Sequence, residues 1–324
     1  MSGQRVLVTG GAGFIGSNIV DALLNEGEYV VRVLDSFATG LRENLAHCLA
    51  DIELVEGDIR DLETVEQAVE GVDAILHHAA LPSVPRSIRA PVTTNDVNAG
   101  GTLKMLSAAA KAGVSRMVFA SSSSVYGQSE VLPKSETMTP NPVSPYAVSK
   151  LAAEGYCRVF HELYGLETVV FRYFNVFGAR QDPRSQYAGV IAKFCQGALS
   201  GVGYTVDGDG RQSRDFCHVD NVVKANLLAL SAPAVDGRPT NIACGDRVTL
   251  LEMVAILNEL VGHDLPVVHG EPRPGDVAHS QADIERARAV LGYEPAVRFR
   301  EGLARTFEWY VAAAPPVDGR RKST

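Results

Sequence analysis

Length, composition and charge narrow the classes of protein to which this chain can belong. Its 324 residues suffice for one large α/β unit or for a cofactor domain with a smaller companion, and a formal net charge of −8 argues against nucleic acid as a partner. No apolar run approaches the roughly 18 residues of a bilayer span, so we expect no membrane partner. The N-terminus enters an apolar strand without a signal peptide, which predicts a cytoplasmic protein. The cysteines lack Cys-x-x-Cys spacing, so we expect no disulfides and no metal.

A glycine-rich loop near the N-terminus connects a predicted strand to a predicted helix. The apolar run at 5–9 is typical of a buried strand, and the spacing of apolar residues predicts a helix at 14–26. Glycines in such a loop let the backbone approach a pyrophosphate, and the helix N-terminus offers N–H groups to it. A glycine-rich turn without a ligand is the alternative. The dinucleotide-binding residues predicted here are Gly10, Gly13, Phe14, Ile15 and Gly16.

Acidic residues follow the second and third predicted strands, at 29–34 and 52–56. Asp35 comes about 20 residues after the last glycine, where a carboxylate can accept hydrogen bonds from both hydroxyls of a ribose. Since a carboxylate repels a 2′-phosphate, Asp35 favours NAD over NADP. Asp58 can bond the adenine amino group, although capping of the next helix explains an aspartate there almost as well. Neighbouring residues predicted to line the cofactor are Ser36, Gly40 and Ile59.

Strand and helix patterns alternate through the first half of the chain, which predicts an α/β fold with a doubly wound parallel sheet of the Rossmann type. Such a sheet brings the carboxyl ends of its strands to one edge, where ligands bind. Further strands are predicted at 74–77, 116–121 and 167–173, and further helices at 61–70, 98–112 and 145–164. The predicted parts are a cofactor domain at 1–173, to which some later segments return, a smaller α/β substrate domain at 174–314, and a mobile tail at 315–324.

Tyr146 and Lys150 are the most informative pair of residues in the chain. Four positions apart in the helix predicted at 145–164, they share one helical face. A neighbouring ammonium stabilises a phenolate and lowers the pKa of a tyrosine from its usual value near 10. We therefore expect Tyr146 to act as a general base or acid near neutral pH. The pair occurs by chance in many helices, but here it accompanies the glycine loop and a serine run at 121–124.

Seven motifs occur in order along the chain. They are Gly-Gly-Ala-Gly-Phe-Ile-Gly (10–16), His-His-Ala-Ala (77–80), Ser-Ser-Ser-Ser-Val-Tyr-Gly (121–127), Ser-Pro-Tyr-Ala-Val-Ser-Lys (144–150), Arg-Tyr-Phe-Asn-Val-Phe-Gly (172–178), Ser-Arg-Asp-Phe-Cys-His-Val-Asp (213–220) and Arg-Pro-Gly-Asp (273–276). The series resembles the extended short-chain dehydrogenase/reductase family and, within it, the nucleotide-sugar 4-epimerases that act on UDP-glucose or UDP-N-acetylglucosamine. This resemblance implies an NAD-dependent isomerase whose substrate is a UDP-sugar.

The resemblance also implies roles for particular residues. It implies that Tyr146 is the catalytic base, that Lys150 lowers its pKa and holds the nicotinamide ribose, and that Ser122 bonds the 4-oxygen of the sugar. Ser123 or Ser124 can share the last role. The further cofactor contacts that it implies are Ala79, Ala80, Asn98, Ser121 and Tyr173. The further substrate contacts are Ser83, Arg86, Asn175, Val190, Tyr204, Arg214, Arg273, Asp276 and Ser280.

The residues after the catalytic serine bear on the reaction. Related 4,6-dehydratases carry Asp and Glu at the positions of Ser123 and Ser124, and uronic-acid decarboxylases carry Glu at the second. Hydroxyl groups cannot do carboxyl acid–base work at pH 7, which favours simple epimerisation. Ser280 stands where family members restricted to small hexoses carry tyrosine, and a serine leaves room for a 2-acetamido group. We therefore expect N-acetylated UDP-hexoses to be turned over at least as well as UDP-glucose.

Other functions on the same scaffold stay open. A uronic-acid 4-epimerase needs a cation or a hydroxyl cluster near carbon 6, and Arg86 and Arg184 can supply the cation. A decarboxylase, dehydratase or reductase acting on nucleotide sugars, or a non-catalytic NAD-binding sensor, are further alternatives. The resemblance also implies a homodimer that pairs through the helices at 98–112 and 145–164.

Overall fold

A parallel sheet forms the centre of the structure. The computed structural model describes residues 3–183, 189–271 and 277–313. Its strands are β1 (Gln4–Thr9), β2 (Tyr29–Asp35), β3 (Ile52–Glu56), β4 (Ala74–His77), β5 (Arg116–Ser122), β6 (Glu167–Tyr173), β7 (Val176–Phe177), β8 (Tyr204–Asp207), β9 (Ser213–Arg214), β10 (Cys217–His218), β11 (Pro239–Ile242), β12 (Val248–Thr249) and β13 (Val267–Gly270). Within the described ranges, seven of them form one sheet in the order β11-β6-β5-β4-β1-β2-β3, with every neighbouring pair parallel.

Helices cover both faces of this sheet. They are α1 (Phe14–Glu26), α2 (Leu62–Val69), α3 (Val84–Arg89), α4 (Pro91–Asn95), α5 (Thr102–Ala112), α6 (Pro145–Tyr164), α7 (Val190–Ser200), α8 (Val219–Ser231), α9 (Leu250–Val261), α10 (Glu285–Leu291) and α11 (Phe299–Ala313). Side chains alternate along a strand, so Val6 and Val8 pack against α1 and α8 while Leu7 packs against α2, α5 and α6. Burial on both faces explains why the strands read as unbroken apolar runs.

A smaller core lies beside the sheet. Helices α7, α9 and α11 enclose apolar residues of β8 and the segment around Phe216. Short strand pairs complete this part: β8 with β13, β9 with β12, and β7 with β10. Strand β7 begins three residues after β6 ends, so its pair with β10 lies next to the carboxyl edge of the large sheet. In the described part of the chain, no helix has the length and apolar character that a membrane span requires.

The predicted α/β fold with a parallel sheet is confirmed. The strands and helices predicted in the first half of the chain occur within two residues of their predicted ends, except that a π-helical turn (Asp96–Gly101) precedes α5. The prediction missed β11, which pairs with β6 at the edge of the sheet. Its Thr240 and Asn241 are buried polar residues, so no apolar run marks the strand. The division at residue 173 stays a prediction, and β11 is a later segment that returns to the first sheet.

Candidate active site

The predicted catalytic residues meet where β5 ends and α6 begins. Strand β5 ends at Ser122, and α6 starts after Ser144, whose Oγ accepts a hydrogen bond from the Ala147 N–H at 3.2 Å. Pro145 suits the first turn because it has no N–H that a helix start would leave unpaired. This start places Tyr146 in the first turn of α6, within hydrogen-bonding reach of Ser122.

Tyr146 is held in an environment that favours the protonated phenol. Burial raises the pKa of Tyr146, and a hydrogen bond with the Ser122 side chain opposes this shift only in part. Lys150 is 4% exposed, and its Nζ donates to the Ala120 carbonyl oxygen at 2.8 Å. Burial lowers the pKa of Lys150 to about 8. Burial thus outweighs the opposing influence of Ser122 on the phenol, and the role of Lys150 in lowering the pKa of Tyr146 stays a prediction.

The hydroxyl groups of the serine run at 121–124 lie in different environments. Ser122 Oγ accepts from the Ser124 N–H at 3.2 Å and starts a 3-10 turn. Ser124 Oγ is buried, and among the described residues it has no hydrogen-bond partner. Ser123 is half-buried in the same turn. The structure thus brings Ser122, rather than its neighbours, to the tyrosine.

A buried ion pair supports this corner of the sheet. Ser121 Oγ donates to Glu154 of α6, and Glu154 accepts two bonds from the Arg172 guanidinium of β6, at 3.0 and 2.7 Å. The two charged side chains are 7% and 3% exposed. The Arg172 guanidinium also lies 4.7 Å from the centre of the Tyr126 ring. The predicted cofactor contact Ser121 therefore has its hydroxyl engaged beneath the site. Sequence reasoning missed the pair because its members lie 18 residues apart on different elements.

The glycine loop fits a pyrophosphate. Gly13 is the N-cap residue of α1, and no side-chain hydrogen bond caps this helix start. A Cβ on Gly10, where φ is 70°, would come within 2.7 Å of the Ala79 nitrogen, and one on Gly16 within 2.1 Å of the Gly10 carbonyl oxygen. Glycine is therefore required at both positions. The loop leaves the N–H groups at Phe14 and Ile15 facing outward from a helix N-terminus, as an anion requires.

Asp35 offers a carboxylate at the end of β2. Its Oδ2 accepts from the Ala12 N–H at 2.9 Å and its Oδ1 from the Phe37 N–H at 2.8 Å, so each oxygen retains capacity for a ribose hydroxyl. Burial raises the pKa of Asp35, and these two N–H groups oppose the shift. Gly40 packs against it, because a Cβ there would meet Asp35 Oδ1 at 3.0 Å. Ser36, by contrast, is exposed. Together with the glycine loop, these residues fit NAD.

The other charged residues along this edge pair with each other. Arg42 lies 2.6 Å from Glu56, so its guanidinium is engaged by a carboxylate and does not favour a 2′-phosphate. Asp58 is bonded to the Arg60 guanidinium at 2.7 Å, and this bond lowers the pKa of Asp58. The cap of α2 is Asp61, whose carboxylate accepts a backbone N–H. Asp61, and not Asp58, therefore caps the helix. The contact between Asp58 and the cofactor stays a prediction.

Asn98 holds the loop after β4. It is fully buried in the π-helical turn, its Oδ1 accepts from the Leu81 N–H at 2.8 Å, and its Nδ2 donates to the Leu81 carbonyl and to Ser149 Oγ, both at 3.1 Å. These bonds engage the side-chain amide with the protein. Asn98 therefore positions the loop that carries Ala79 and Ala80, both of which are half-buried at the carboxyl edge.

Tyr173 and Ile59, two predicted cofactor contacts, are core residues. The Tyr173 hydroxyl receives a bond from Asn226 Nδ2 of α8 at 2.8 Å and lies 3.0 Å from His78 Nε2. This places the Tyr173 side chain on the face of the sheet that α1 and α8 cover. Ile59 is 4% exposed and packs against Gly101. Neither side chain offers a polar atom to the cofactor.

A cavity of about 200 Å³ lies between α7, β8 and β9. Of the predicted substrate residues, the structure brings three to its wall: Asn175, Val190 and Arg214. Sequence reasoning missed the other members of the wall. They are Lys193, Phe194, Thr205, Asp207, Gln212, Phe216 and Leu250. Side chains alternate along an extended segment, so Gln212 and Phe216 lie on the same side as Arg214. The position of Arg214 in the sequence could therefore have predicted both of them.

The prediction that Tyr204 contacts the substrate is wrong. Tyr204 is 2% exposed, packs against Phe194 and donates from its hydroxyl to Asn258 Oδ1 at 3.0 Å. Successive side chains of a strand point to opposite faces, so Thr205 and Asp207 of β8 line the cavity while Tyr204 enters the core. The prediction was off by one residue in register.

The remaining predicted substrate residues occupy different places. Ser83 caps α3, and its Oγ accepts from the Arg86 N–H at 3.3 Å. The Ser280 N–H donates to the Ser213 carbonyl at 3.0 Å, which places Ser280 beside β9 and its Arg214. Arg273 and Asp276 lie outside the described residues, as does Arg184, the other cation named for a uronic acid.

One group of potential metal ligands occurs within the described ranges, away from these residues. Asp21, His47 and Cys48 bring their ligand atoms within 4.8 Å of one another. The Asp21 carboxylate is engaged by His47 Nε2 at 2.7 Å and by the Arg180 guanidinium at 2.5 Å, and Cys48 is buried. Burial raises the pKa of the Cys48 thiol, which disfavours the thiolate that binds metals. The predicted absence of a metal stays a prediction.

Comparison with known proteins identifies relatives over nearly the whole chain. A family model described as the NAD dependent epimerase/dehydratase family matches residues 6–245. The UDP-glucose 4-epimerase of Mycolicibacterium smegmatis is 41% identical over 312 residues, which cover 95% of this chain and 98% of that protein.

Solved structures agree with this match. The UDP-N-acetylglucosamine 4-epimerase of Methanobrevibacter ruminantium M1, in complex with UDP-N-acetylmuramic acid, superposes with a TM-score of 0.92 at 37% identity, covering 97% of this chain and all (100%) of that one. The UDP-glucuronic acid 4-epimerase of Bacillus cereus, in complex with UDP-glucuronic acid and NAD, gives 0.89 at 28% identity, with 96% and 100% covered. The predicted family and cofactor are confirmed. This chain belongs to the NAD-dependent epimerase/dehydratase family and is an enzyme whose cofactor is NAD.

Proposed function

We propose that this enzyme epimerises carbon 4 of a UDP-hexose through a transient 4-keto sugar. The observation that carries the proposal is that Ser122 ends β5 where Tyr146 begins α6, so that their side chains interact at the carboxyl edge of the sheet, with Lys150 buried behind them. A hydroxyl group in front of this pair can lose its proton to the phenolate while Ser122 holds its oxygen. Since the two positions after Ser122 carry no carboxyl group, dehydration and decarboxylation lack their acid and base.

The proposed cycle uses each residue twice. Bound NAD would supply an acceptor, and in its reduced form a donor, for the hydride of carbon 4. Tyr146 takes the proton of the 4-hydroxyl group in the forward direction and gives it back after the keto sugar has presented its other face. Ser122 keeps the 4-oxygen in place in both half-reactions. Because the hydrogen returns to the carbon that it left, the cofactor is regenerated in every turnover.

The cavity beside β9 is suited to the UDP moiety. Arg214 and Lys193 line it and can pair with a diphosphate, while Phe194 and Phe216 offer apolar faces to a base. Asn175 adds an amide at the same wall. Among the described lining residues, Asp207 is the one acid, so the balance of charge favours an anionic ligand. We expect the predicted contacts Arg273 and Asp276 to complete this wall.

N-acetylated UDP-hexoses are the preferred substrates in this proposal. Ser280 lies beside β9, where its N–H bonds the Ser213 carbonyl. A side chain of this size leaves space for the acetamido group of UDP-N-acetylglucosamine or UDP-N-acetylgalactosamine, and UDP-glucose and UDP-galactose fit the same space less closely. The similar enzyme from Methanobrevibacter ruminantium M1 is named for UDP-N-acetylglucosamine, which supports this choice.

A uronic acid 4-epimerase is the second candidate. It is favoured by the buried Ser124 hydroxyl, which lacks a partner among the described residues and lies two positions from Ser122. Such a hydroxyl can bond a carboxylate at carbon 6. The similar enzyme from Bacillus cereus is named for UDP-glucuronic acid. Turnover of UDP-glucuronic acid faster than that of both neutral pairs supports this candidate over the first.

We further propose a homodimer that buries the outer face of α6. This face carries exposed apolar side chains, with Val148 50%, Val159 41% and Leu163 75% exposed, and Ile88 and Val92 on the neighbouring α3 and α4 extend it. A contiguous apolar face of this kind is typical of a subunit interface.

A panel of UDP-sugars tests the function directly. Purified protein is incubated with UDP-N-acetylglucosamine, UDP-glucose or UDP-glucuronic acid, with and without added NAD, and the products are analysed by mass and by NMR. We expect an epimer of unchanged mass, because loss of carbon dioxide or water, or net reduction, would each alter the mass. A product of altered mass from any of the three, or no product at all, would contradict the proposal.

A further inference from the structure

The segment that carries Arg214 faces the cavity with every second residue. Gln212, Arg214 and Phe216 line the wall, as expected for side chains on one side of an extended chain. Asp215, between the last two, points the opposite way and is fully buried, with 0% exposed. Its side chain therefore touches no ligand in the cavity but lies directly behind the wall.

The Asp215 carboxylate joins three segments of the chain by bonds to backbone N–H groups. Oδ1 accepts from Cys244 at 2.9 Å, and Oδ2 accepts from Gly245 at 3.0 Å and from Ala282 at 3.1 Å. Cys244 and Gly245 follow β11 of the large sheet, and Ala282 comes two residues after Ser280. Three N–H donors on one buried carboxylate fix these segments relative to each other more rigidly than apolar packing does.

The backbone around Asp215 extends this junction to Asn175. The Asn175 side-chain amide donates to the Asp215 carbonyl oxygen at 3.0 Å, and the Cys217 N–H donates to the Asn175 carbonyl at 3.3 Å. Asn175 has a φ of 33°, in the left-handed region, which such bonds stabilise. Asp215 thus stands at the centre of the residues that bring Arg214, Asn175 and Ser280 to one place.

The charge on Asp215 is balanced by these N–H groups. Burial raises the pKa of Asp215 to about 6, and the bonds from Cys244, Ala282 and Gly245 oppose the shift. A carboxylate in this position is ionised at pH 8 and accepts all three bonds. An asparagine cannot, because its NH2 group would face at least one of the N–H donors.

We propose that Asp215 is the positioning residue of the nucleotide wall: its buried carboxylate sets the distance between Arg214 and the segment that carries Ser280, and so determines affinity for the UDP moiety. The inference rests on the proposed function, since it takes the cavity as the UDP site. The carboxylate reaches neither the glycine loop nor Tyr146, so it acts on nucleotide-sugar binding and leaves NAD binding and the chemical step unchanged.

The variant Asp215→Asn tests the inference at pH 8. We expect the KM for the UDP-sugar and the Kd for UDP, measured by calorimetry, to rise at least about tenfold, or about 1.4 kcal/mol of binding free energy, because the amide leaves one of the three N–H donors unpaired and so displaces the wall. The kcat at saturation and the Kd for NAD stay close to those of the wild type. A purely structural role would lower the thermal midpoint and leave KM unchanged in the folded protein, and that result would overturn the inference.

A matched control is Glu136→Gln. Glu136 is another half-buried carboxyl group, and its Oε1 accepts the Asn241 N–H of β11 at 2.7 Å, a bond that an amide oxygen can keep. We expect wild-type KM and UDP affinity in this variant. If Asp215→Asn yields no folded protein, Gln281→Ala takes its place, because Gln281 Nε2 bonds the Gly245 carbonyl at 2.7 Å in the same junction. A rise in KM with unchanged NAD affinity supports the inference, and an unchanged KM overturns it.

Wild-type calorimetry separates a failure of the proposed function from a failure of the role of Asp215. If the wild type binds NAD but neither UDP nor a UDP-sugar, the proposed function fails before the variants are considered. If the wild type binds UDP and Asp215→Asn binds it equally well, the function stands and the role of Asp215 is refuted.

Discussion

Lys150 donates a hydrogen bond from Nζ to the carbonyl oxygen of Ala120 at 2.8 Å, and so ties α6 to β5 two residues before Ser122. The ammonium is bonded to the strand, and burial dominates the pKa of Tyr146 and raises it. The polypeptide alone therefore keeps the phenol protonated at neutral pH. Bound oxidised NAD would add a positive charge that favours the phenolate.

The first prediction concerns this pKa. Ultraviolet difference titration of the wild type against Tyr146→Phe reports the ionisation of this one phenol. In protein stripped of NAD we expect Tyr146 to ionise above pH 10, because burial raises its pKa. With NAD bound, its pKa falls because a nearby cation stabilises the phenolate. Equal pKa values in the two states would contradict this explanation.

Removal of the phenolic hydroxyl abolishes the proposed proton transfer. We expect Tyr146→Phe to lower kcat by about 10²–10⁴-fold, the usual contribution of a general base, while the Kd for NAD is retained. Tyr156→Phe is the matched control, because Tyr156 lies on the same helix and is 38% exposed. Initial rates of epimer formation and NAD calorimetry measure both effects. A Tyr146→Phe variant as active as this control would exclude Tyr146 as the base.

The buried ion pair between Glu154 and Arg172 is expected to contribute to the free energy of unfolding. Glu154→Gln leaves the Arg172 guanidinium buried without its counter-charge, which costs about 3–5 kcal/mol of unfolding free energy. Glu162→Gln breaks the exposed pair with Arg158 on the same helix, which is worth about 0.3–0.5 kcal/mol. Urea unfolding of the two variants beside the wild type measures the difference. Similar small losses in both would show that the buried pair contributes little.

A bulky side chain at Ser280 separates the two substrate classes. We expect Ser280→Tyr to reduce kcat/KM for UDP-N-acetylglucosamine by at least about tenfold, the effect of a clash worth about 1.4 kcal/mol, and to leave UDP-glucose nearly unchanged. Ser280→Ala, which keeps the space, retains both activities. Equal losses on the two substrates would show that Ser280 is not the specificity determinant.

A charge on the outer face of α6 weakens the proposed dimer. Val159→Glu places a carboxylate in a surface that the dimer buries, so we expect sedimentation to show a shift from dimer to monomer. Val202→Glu is the control, because Val202 is 76% exposed and lies on the loop after α7. A wild type that sediments as a monomer at micromolar concentration would contradict the predicted dimer.

Local patterns were sufficient to predict the sheet but not its supporting contacts. The apolar run before Gly10 and the spacing of Tyr146 and Lys150 each lie within a few residues, so the sequence displays them. Strand β11 escaped prediction because buried Asn241 is satisfied by distant partners, among them Tyr126. The role of Asp215 was missed for the same reason, because its hydrogen-bond partners are also distant in the sequence.

Register and electrostatics were the weaker parts of the prediction. Tyr204 was assigned to the substrate, although the alternation of β8 turns Thr205 and not Tyr204 toward the cavity. The pKa of Tyr146 was expected to fall because Lys150 is near in sequence. The prediction left out burial, which raises the pKa of Tyr146 and depends on the packing of α6 against β5, a contact between segments distant in the sequence.

Isotope retention tests the central claim most directly. UDP-N-acetylglucosamine carrying deuterium at carbon 4 is incubated with the enzyme in ordinary water, and the product is analysed by mass and proton NMR. The proposed cycle predicts that UDP-N-acetylgalactosamine forms with the deuterium still on carbon 4. Loss of the label to solvent, or migration of the change to another carbon, would contradict it.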